Sequence, residues 1–303
     1  MAYEIDCRRA LDDEARRILT ELAVKARAQL ADAADDVERA VFSARRRCKR
    51  ARALLRLIRP ALDRDDYASE NARWRDAGRA LSGLRDASAV RSAVVRLARE
   101  SADEGTRDIY QRLDGRLRDE AGPPISHFDA AARLARAEYL IGECARRTAQ
   151  LSFISTGIDM VAIGARKTYA RGREEMRAAS REASADADHD WRKRVKYHAL
   201  HLRLLRGSAR ADVLERETLA KSVAARLGEM NDFAVLSAEV AEGVCTPFLS
   251  ADECDRLLED LRVRRDVARA RVFDDADALY ALKPSAFEKA IGAITGSALA
   301  VKT

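Results

Sequence analysis

Arg45, Lys49, Arg52 and Arg56 recur at steps of three and four, as do His189, Arg192 and Lys196, with Arg203 two turns further on. At ~100° of rotation and ~1.5 Å of rise per residue, each set forms a cationic row along one flank of a helix. Such rows suit an anion charged at regular intervals, because arginine offers forked donors to phosphate oxygens and lysine a compact cation. His189, at the N-terminal end of the second row, can donate to an anion and gain charge on contact. Like charges at i,i+4 cost about a few tenths of a kcal/mol per pair, so something negative is expected against each row. Either a ligand supplies it or acidic helices of the same chain do.

The distribution of charge favours an external partner. Residues 41–59 hold eight Lys or Arg and no acid, and 191–206 hold six and no acid. Against a whole-chain formal charge of +6, these segments leave −8 for the remainder. Two intensely basic helices in an otherwise acidic chain point to a polyanion.

The two segments also match each other. FSARRRCKRARALLRLIR (42–59) aligns without a gap on HDWRKRVKYHALHLRLLR (189–206) at an offset of 147, pairing Arg45 with Arg192, Arg46 with Lys193, Lys49 with Lys196 and Arg56 with Arg203. LSGLRD (81–86) matches LGEMND (227–232) at an offset of 146. The pattern predicts a duplication of half the chain and two similar helical bundles, over 5–150 and 151–303 of a single 1–303 domain. With no low-complexity linker between them, the halves are expected to pack closely.

The elements that must position the rows are helices. Few aromatics, few prolines and no sustained β-branched alternation predict an all-α chain without strands. Helices are expected near 8–33, 35–60, 66–101, 104–121, 127–149, 153–182, 187–206, 209–242, 249–274 and 284–301. Breaks fall at Pro60, Gly122-Pro123-Pro124, Gly207, Thr246-Pro247 and Pro284. Asp35 or Asp36 and Asp188 are the expected caps of the basic helices. Val41, Ala44, Cys48, Ala51, Leu55, Ile58 and Leu62 form one apolar track; Trp191, Val195, His198, Leu202 and Leu205 form the equivalent one. Each places a cationic row immediately beside a core-facing stripe.

Other motifs divide between packing and ligand contact. In LSGLRD and LGEMND the small residue lets helices approach, and Asp86 and Asp232 orient a cation or cap a turn. Gly157, Gly164 and Gly172 share a face beside Lys167 and Arg171, which predicts a close helix crossing, or alternatively a place where ligand meets backbone. No GxxxxGK[ST] loop is present. His198 is expected in the core and His201 exposed, while His127 has no evident partner. Five cysteines without a CxxC pair suggest neither a zinc site nor a disulfide scaffold, and a reducing cytosol fits best. No run reaches the ~18 apolar residues of a membrane span. A cytoplasmic protein with no cofactor, no metal and no membrane partner is expected.

H-x-x-R-K-x-x-K in HDWRKRVK, its degenerate earlier copy FSARRRCKRARALLRL, and the paired L-[GS]-x-x-[RN]-D segments resemble the CHAD family, the conserved-histidine α-helical domains. The resemblance implies two antiparallel four-helix subdomains related by pseudo-twofold symmetry, with basic helices lining a central groove or pore that binds inorganic polyphosphate. It carries anion contacts onto Arg45, Lys49, Arg52, Arg56, His189, Arg192, Lys193, Lys196 and Arg203; Arg46, Lys167 and Arg171 are added as neighbouring cations. Phe42 stands where the family usually has its first histidine, and Ser82 replaces a usual glycine. EID at 4–6 leads directly into a helical pattern, so the triphosphate-tunnel module of some relatives is not expected.

A non-enzymatic polyphosphate binder, associated with polyphosphate granules, is the leading expectation. A nucleic-acid binder ranks second, since the rows offer mainly Trp191 and Tyr197 for base stacking. A phosphohydrolase using His189 ranks last, because no acidic pair for Mg²⁺ and no evident base accompany it. In every reading the rows converge, empty of internal counter-carboxylates, on one electropositive cavity.

Overall fold

The computed structural model describes residues 3–33, 36–82, 86–119, 127–208, 211–243 and 248–300. The expected cap at Asp35, the breaks at 122–124 and 246–247, and the side chains of Asp86 and His127 lie outside the described residues. Among the described residues eleven α-helices run in order: α1 (Leu11–Ala31), α2 (Val37–Leu57), α3 (Arg64–Ala80), α4 (Asp86–Glu100), α5 (Glu104–Asp119), α6 (His127–Thr148), α7 (Met160–Glu182), α8 (Ala185–Leu204), α9 (Ala211–Ala241), α10 (Ala251–Leu279) and α11 (Pro284–Ala300). Among the described residues the only β-type pairing is an isolated bridge between Leu62 and Phe153.

The chain ends these helices with local chemistry. Asp36 accepts from the Arg39 amide at 2.9 Å and caps α2. Ser250 and Glu253 form a reciprocal capping box on α10. Asp188 is not the cap of α8. Ser184 accepts from the Ala187 amide at 3.2 Å, and Asp188, already inside the first turn, is buried between Arg265 (3.0 Å) and Arg269 (2.6 Å) of α10. The helix expected over 66–101 is two helices: α3 stops at Ala80, where the Ser82 hydroxyl donates to the Arg79 carbonyl at 2.6 Å. The corresponding LGEMND continues within α9 without a break. Residues 153–159, expected as helix, form a bridge, a bend and a turn before α7, and Ile154 N–H donates to the Ala61 carbonyl at 2.9 Å.

In the first half α1, α2, α3 and α6 form a ring of neighbours, α1 and α3 each touching α2 and α6. In the second half the neighbours run α11, α7, α8, α9, α10. The α4–α5 hairpin reaches across to α9 and α10, where Tyr110 Oη donates to Asp260 at 2.8 Å. The segment before α1 also crosses over, with Ile5 N–H donating to the Leu204 carbonyl at 2.8 Å. One continuous apolar core runs through both halves, as their lack of a linker led one to expect.

Between the halves α2 packs directly on α8 and α7. Gly164 makes the α7 crossing possible: the Leu57 carbonyl occupies the place where a Cβ would sit, and Tyr280 fills the equivalent place at Gly172. The glycine face of α7 is therefore a packing surface. At the α2–α8 contact His201 is buried, not exposed as expected, and its Nε2 bonds the Ala53 carbonyl at 2.9 Å. The off-row position that suggested exposure faces the neighbouring helix rather than solvent.

His198 lies in the core against Tyr169, Tyr280 and Phe287, with neither ring nitrogen hydrogen-bonded. Burial depresses both histidines from 6.5, His198 to about 3 and His201 to about 4. A native state that keeps them neutral binds fewer protons than the unfolded chain once pH falls below 6.5, so stability drops between 6.5 and about 4. His198→Leu removes one such proton site without breaking a hydrogen bond. It is expected to move the acid-unfolding midpoint, followed by circular dichroism, down by roughly half a pH unit; an unmoved midpoint contradicts the assignment.

Candidate functional site

The apolar tracks of α2 and α8 are buried as their periodicity predicts, with Val41, Ala44, Ala51, Trp191, Val195 and His198 all at 0 % exposure. With one flank committed to the core, the adjacent cationic flanks meet across a shared space. A cavity of ≈ 770 Å³ is bordered by α2 and α3 from the first half and by α8 and α9 from the second. From α2 it receives Arg45, Arg46, Lys49, Arg52 and Arg56, and from α8 His189, Arg192, Lys193, Lys196 and Arg203. Lys167 and Arg171 do not reach it. They line a smaller space of ≈ 70 Å³ with Arg59, Tyr67 and Thr168, which shares Arg56, Arg194 and Tyr197 with the large cavity.

Five further cations of the large cavity were not picked out from the sequence: Arg50, Arg75, Arg79, Arg194 and Lys221. The information was present for some of them. Carrying the 146-residue offset upstream of LSGLRD pairs Arg75 with Lys221 and Gly78 with Ala224, and all four line the cavity.

The cations are crowded and partly desolvated. Burial depresses the Arg52 guanidinium below its ordinary range; Tyr197 opposes this, while Arg56 and Arg75 add to it. Arg50 is lowered by burial and then by Arg46 and Arg203, and Arg192 by burial against an opposing pull from Asp232. Each shift says that the surroundings disfavour the charge the side chain carries. The Nε atoms of Arg50, Arg56, Arg192 and Arg203 are buried with no hydrogen-bond partner among the described residues. A buried donor left unmet costs about 1–3 kcal/mol, and more when charged.

Several contacts hold the side chains in place. Arg56 stacks over the Tyr197 ring at 4.4 Å, and Arg52 Nε donates to Asn71 Oδ1 at 3.2 Å. His189 Nδ1 shares a 2.7 Å hydrogen bond with Asn231 Oδ1 of LGEMND. Gly228 of the same motif lies 3.7 Å from Arg192 Nη2, measured from where its Cβ would be, so a small residue admits the guanidinium beside α9. Asp232 ends the motif 3.7 Å from Arg96 Nη2, and burial raises its carboxyl pKa against the pull of Arg192, Arg96 and Lys196.

The walls are not free of internal carboxylates. Lys193 pairs with Asp190 (2.7 Å), Arg194 with Glu175 (3.3 Å), Arg75 with Asp76 (2.9 Å) and Arg203 with Glu217 (3.7 Å). Arg52, Arg56 and Arg192 have no carboxylate within ion-pair distance among the described residues. Compensation is therefore partial. No three His, Cys, Asp or Glu side chains among the described residues converge as metal ligands.

The fold and site thus describe an all-α protein in which the cationic flanks of α2 and α8 border one cation-rich cavity. The CHAD domain profile matches residues 17–241, and the chain belongs to the CHAD family. Among solved structures, PptA from Streptomyces chartreusis shares 16 % identity at a TM-score of 0.61, covering 89 % of this chain and 100 % of that one. The CHAD domain from the plant Ricinus communis shares 15 % identity at a TM-score of 0.62, covering 94 % and 96 %. At these identities the likeness is one of fold. A comparison with curated proteins finds no match.

Mutual repulsion in the unliganded cavity makes thermal stability respond to salt. Raising NaCl from ~0.1 M to ~1 M shortens the Debye length from about 10 Å to about 3 Å. The melting temperature is expected to rise by about 2–4 °C. Arg52→Met should raise it at ~0.1 M and shrink the salt response; a variant less stable than wild type, with an unchanged salt response, contradicts the repulsion.

Proposed function

We propose that this protein binds inorganic polyphosphate in the cavity between α2 and α8, as a binder rather than a catalyst. The observation that carries the reading is the convergence of both basic rows, Arg45, Lys49, Arg52 and Arg56 from α2 and His189, Arg192, Lys196 and Arg203 from α8, on one cavity. A chain of phosphates supplies what that space lacks: negative charge at short intervals, with several acceptor oxygens per unit for forked arginine donors. Membership of the CHAD family supports the same ligand.

The matched positions support the finer reading of an ancestral duplication. Arg45 and Arg192, Lys49 and Lys196, Arg56 and Arg203 border the cavity at the 147-residue offset, and Arg75 and Lys221 at the 146-residue one. A pseudo-twofold relation between halves then gives a ligand without sense of direction two similar walls. Phe42, 41 % exposed at the place of the family's first histidine, leaves His189 as the single histidine contact. The proposal extends to a cytoplasmic protein found at polyphosphate granules.

Nucleic acid is the weaker candidate because the cavity offers bases no free aromatic face. Tyr197 is covered by Arg56, Trp74 is 1 % exposed, and Trp191 is buried against Phe273.

Charge reversal of Lys49 and Lys196 together (Lys49→Glu, Lys196→Glu) places acid on both walls. Retention on a polyphosphate matrix at ~0.15 M salt is expected to fall by at least about tenfold, and wild-type retention to decline steeply as salt rises. Undiminished retention of the double variant rejects the site. Stronger competition by RNA or DNA than by polyphosphate, at equal phosphate concentration, rejects the ligand, and phosphate release in the presence of magnesium rejects the non-catalytic role.

A further inference from the structure

Among the described residues four carboxylates are buried and surrounded by cations: Glu14, Glu70, Asp188 and Glu217. Three of them are clasps whose cations do not line the cavity. Glu14 holds Arg9 and Arg17, Glu70 holds Arg73 and Arg147 across α3 and α6, and Asp188 ties α8 to α10 through Arg265 and Arg269. Glu217 differs, because two of its cations, Arg203 and Lys221, belong to the cavity wall.

The geometry at Glu217 is that of a loose ion cluster. Arg203 Nη1 and Arg206 Nε both stand 3.7 Å from its oxygens, beyond hydrogen-bonding distance, and Lys221 alone makes close contact. Arg203 Nε remains without a partner. Glu217 therefore draws on the charge of Arg203 without saturating its donors.

The other wall is built differently at the matching place. The offset of 146 that relates Arg75 to Lys221 places Asn71 opposite Glu217. Asn71 offers a neutral amide oxygen to Arg52 at 3.2 Å, so Arg52 is oriented without being neutralised, and the carboxylate that meets Arg75 on this wall is the partly exposed Asp76 rather than a buried one. At this matched position the two walls differ by one buried group, the carboxylate of Glu217 against the amide of Asn71.

We propose that Glu217 is a resident counter-anion that competes with polyphosphate for Arg203 and Lys221. It biases the bound chain toward the α2–α3 wall and holds affinity below what the two cationic rows alone provide. The inference rests on the polyphosphate reading above. A carboxylate that served only as a clasp would, when neutralised, lower stability and leave affinity unchanged or reduced. A competitor, when neutralised, raises affinity even as the unliganded fold weakens.

Glu217→Gln keeps the shape and removes the charge, and Asn71→Asp places a carboxylate on the opposite wall. Binding of linear polyphosphate to each full-length variant is measured by calorimetry across a salt series, beside thermal melts of the unliganded proteins. Glu217→Gln is expected to bind about three- to tenfold tighter, with a slope of log K against log salt steeper by up to about one. Asn71→Asp is expected to bind weaker by a similar factor and with a shallower slope. If wild type binds while Glu217→Gln binds no tighter, the competition is overturned and the polyphosphate reading stands. If wild type itself does not bind, both fall. Should Glu217→Gln fail to fold, Asn71→Asp decides alone, and undiminished affinity there overturns the proposal.

Discussion

Like charges held close together by a buried apolar stripe are the constraint on which the cavity depends. α2 and α8 each commit one face to the core, and the residues one step round the helix are arginines and lysines. Once the core sets the rotation of both helices, the cationic flanks have no freedom to turn away from each other. The His201–Ala53 hydrogen bond and the close crossing at Gly164 then fix how near they come. Hydrophobic burial, of the order of 25 cal/mol per Å² of apolar surface, opposes a repulsion that neither helix would tolerate alone.

The carboxylates are placed in keeping with that division. Buried acids paired with cations outside the cavity wall join helices, as Asp188 joins α8 to α10 and Glu70 joins α3 to α6. At the cavity, pairing is confined to a few positions, such as Lys193 with Asp190 and Arg194 with Glu175, while Arg52, Arg56 and Arg192 are left to aromatic, amide and glycine neighbours. Stacking on Tyr197 and bonding to Asn71 orient guanidinium groups without neutralising them. The buried carboxylates thus support the fold, and Arg52 and Arg56 are oriented by an amide and a ring rather than by acids.

Periodicity made the central elements legible in the sequence. The apolar tracks on α2 and α8 follow a strict three-and-four spacing, so their rotation, and the side on which Arg45, Lys49, Arg192 and Lys196 emerge, follows from helical geometry. What periodicity does not carry is the identity of neighbours. His201 lies off the cationic row and resembles an exposed residue until α2 is packed against it. Asp188 has a cap's residue type, yet Ser184 begins the helix one turn earlier and frees it to meet α10. The break after Ala80 was hidden because LSGLRD lacks proline, while its counterpart in α9 runs straight through. Arg50 and Arg79 enter the cavity through tertiary placement alone, whereas Arg75 and Lys221 were within reach of the repeat had it been followed upstream.

The central claim is that an anionic chain occupies the space between the α2 and α8 rows. A crystal structure of the protein with linear polyphosphate bound tests it most directly, through phosphorus positions identified in the density. The expected result is a run of phosphates inside the cavity, with oxygens within hydrogen-bonding distance of Arg52, Arg56, Arg192 and Arg203. Phosphates lying only on the outer surface, with the guanidinium groups of the cavity still unmet, would contradict it.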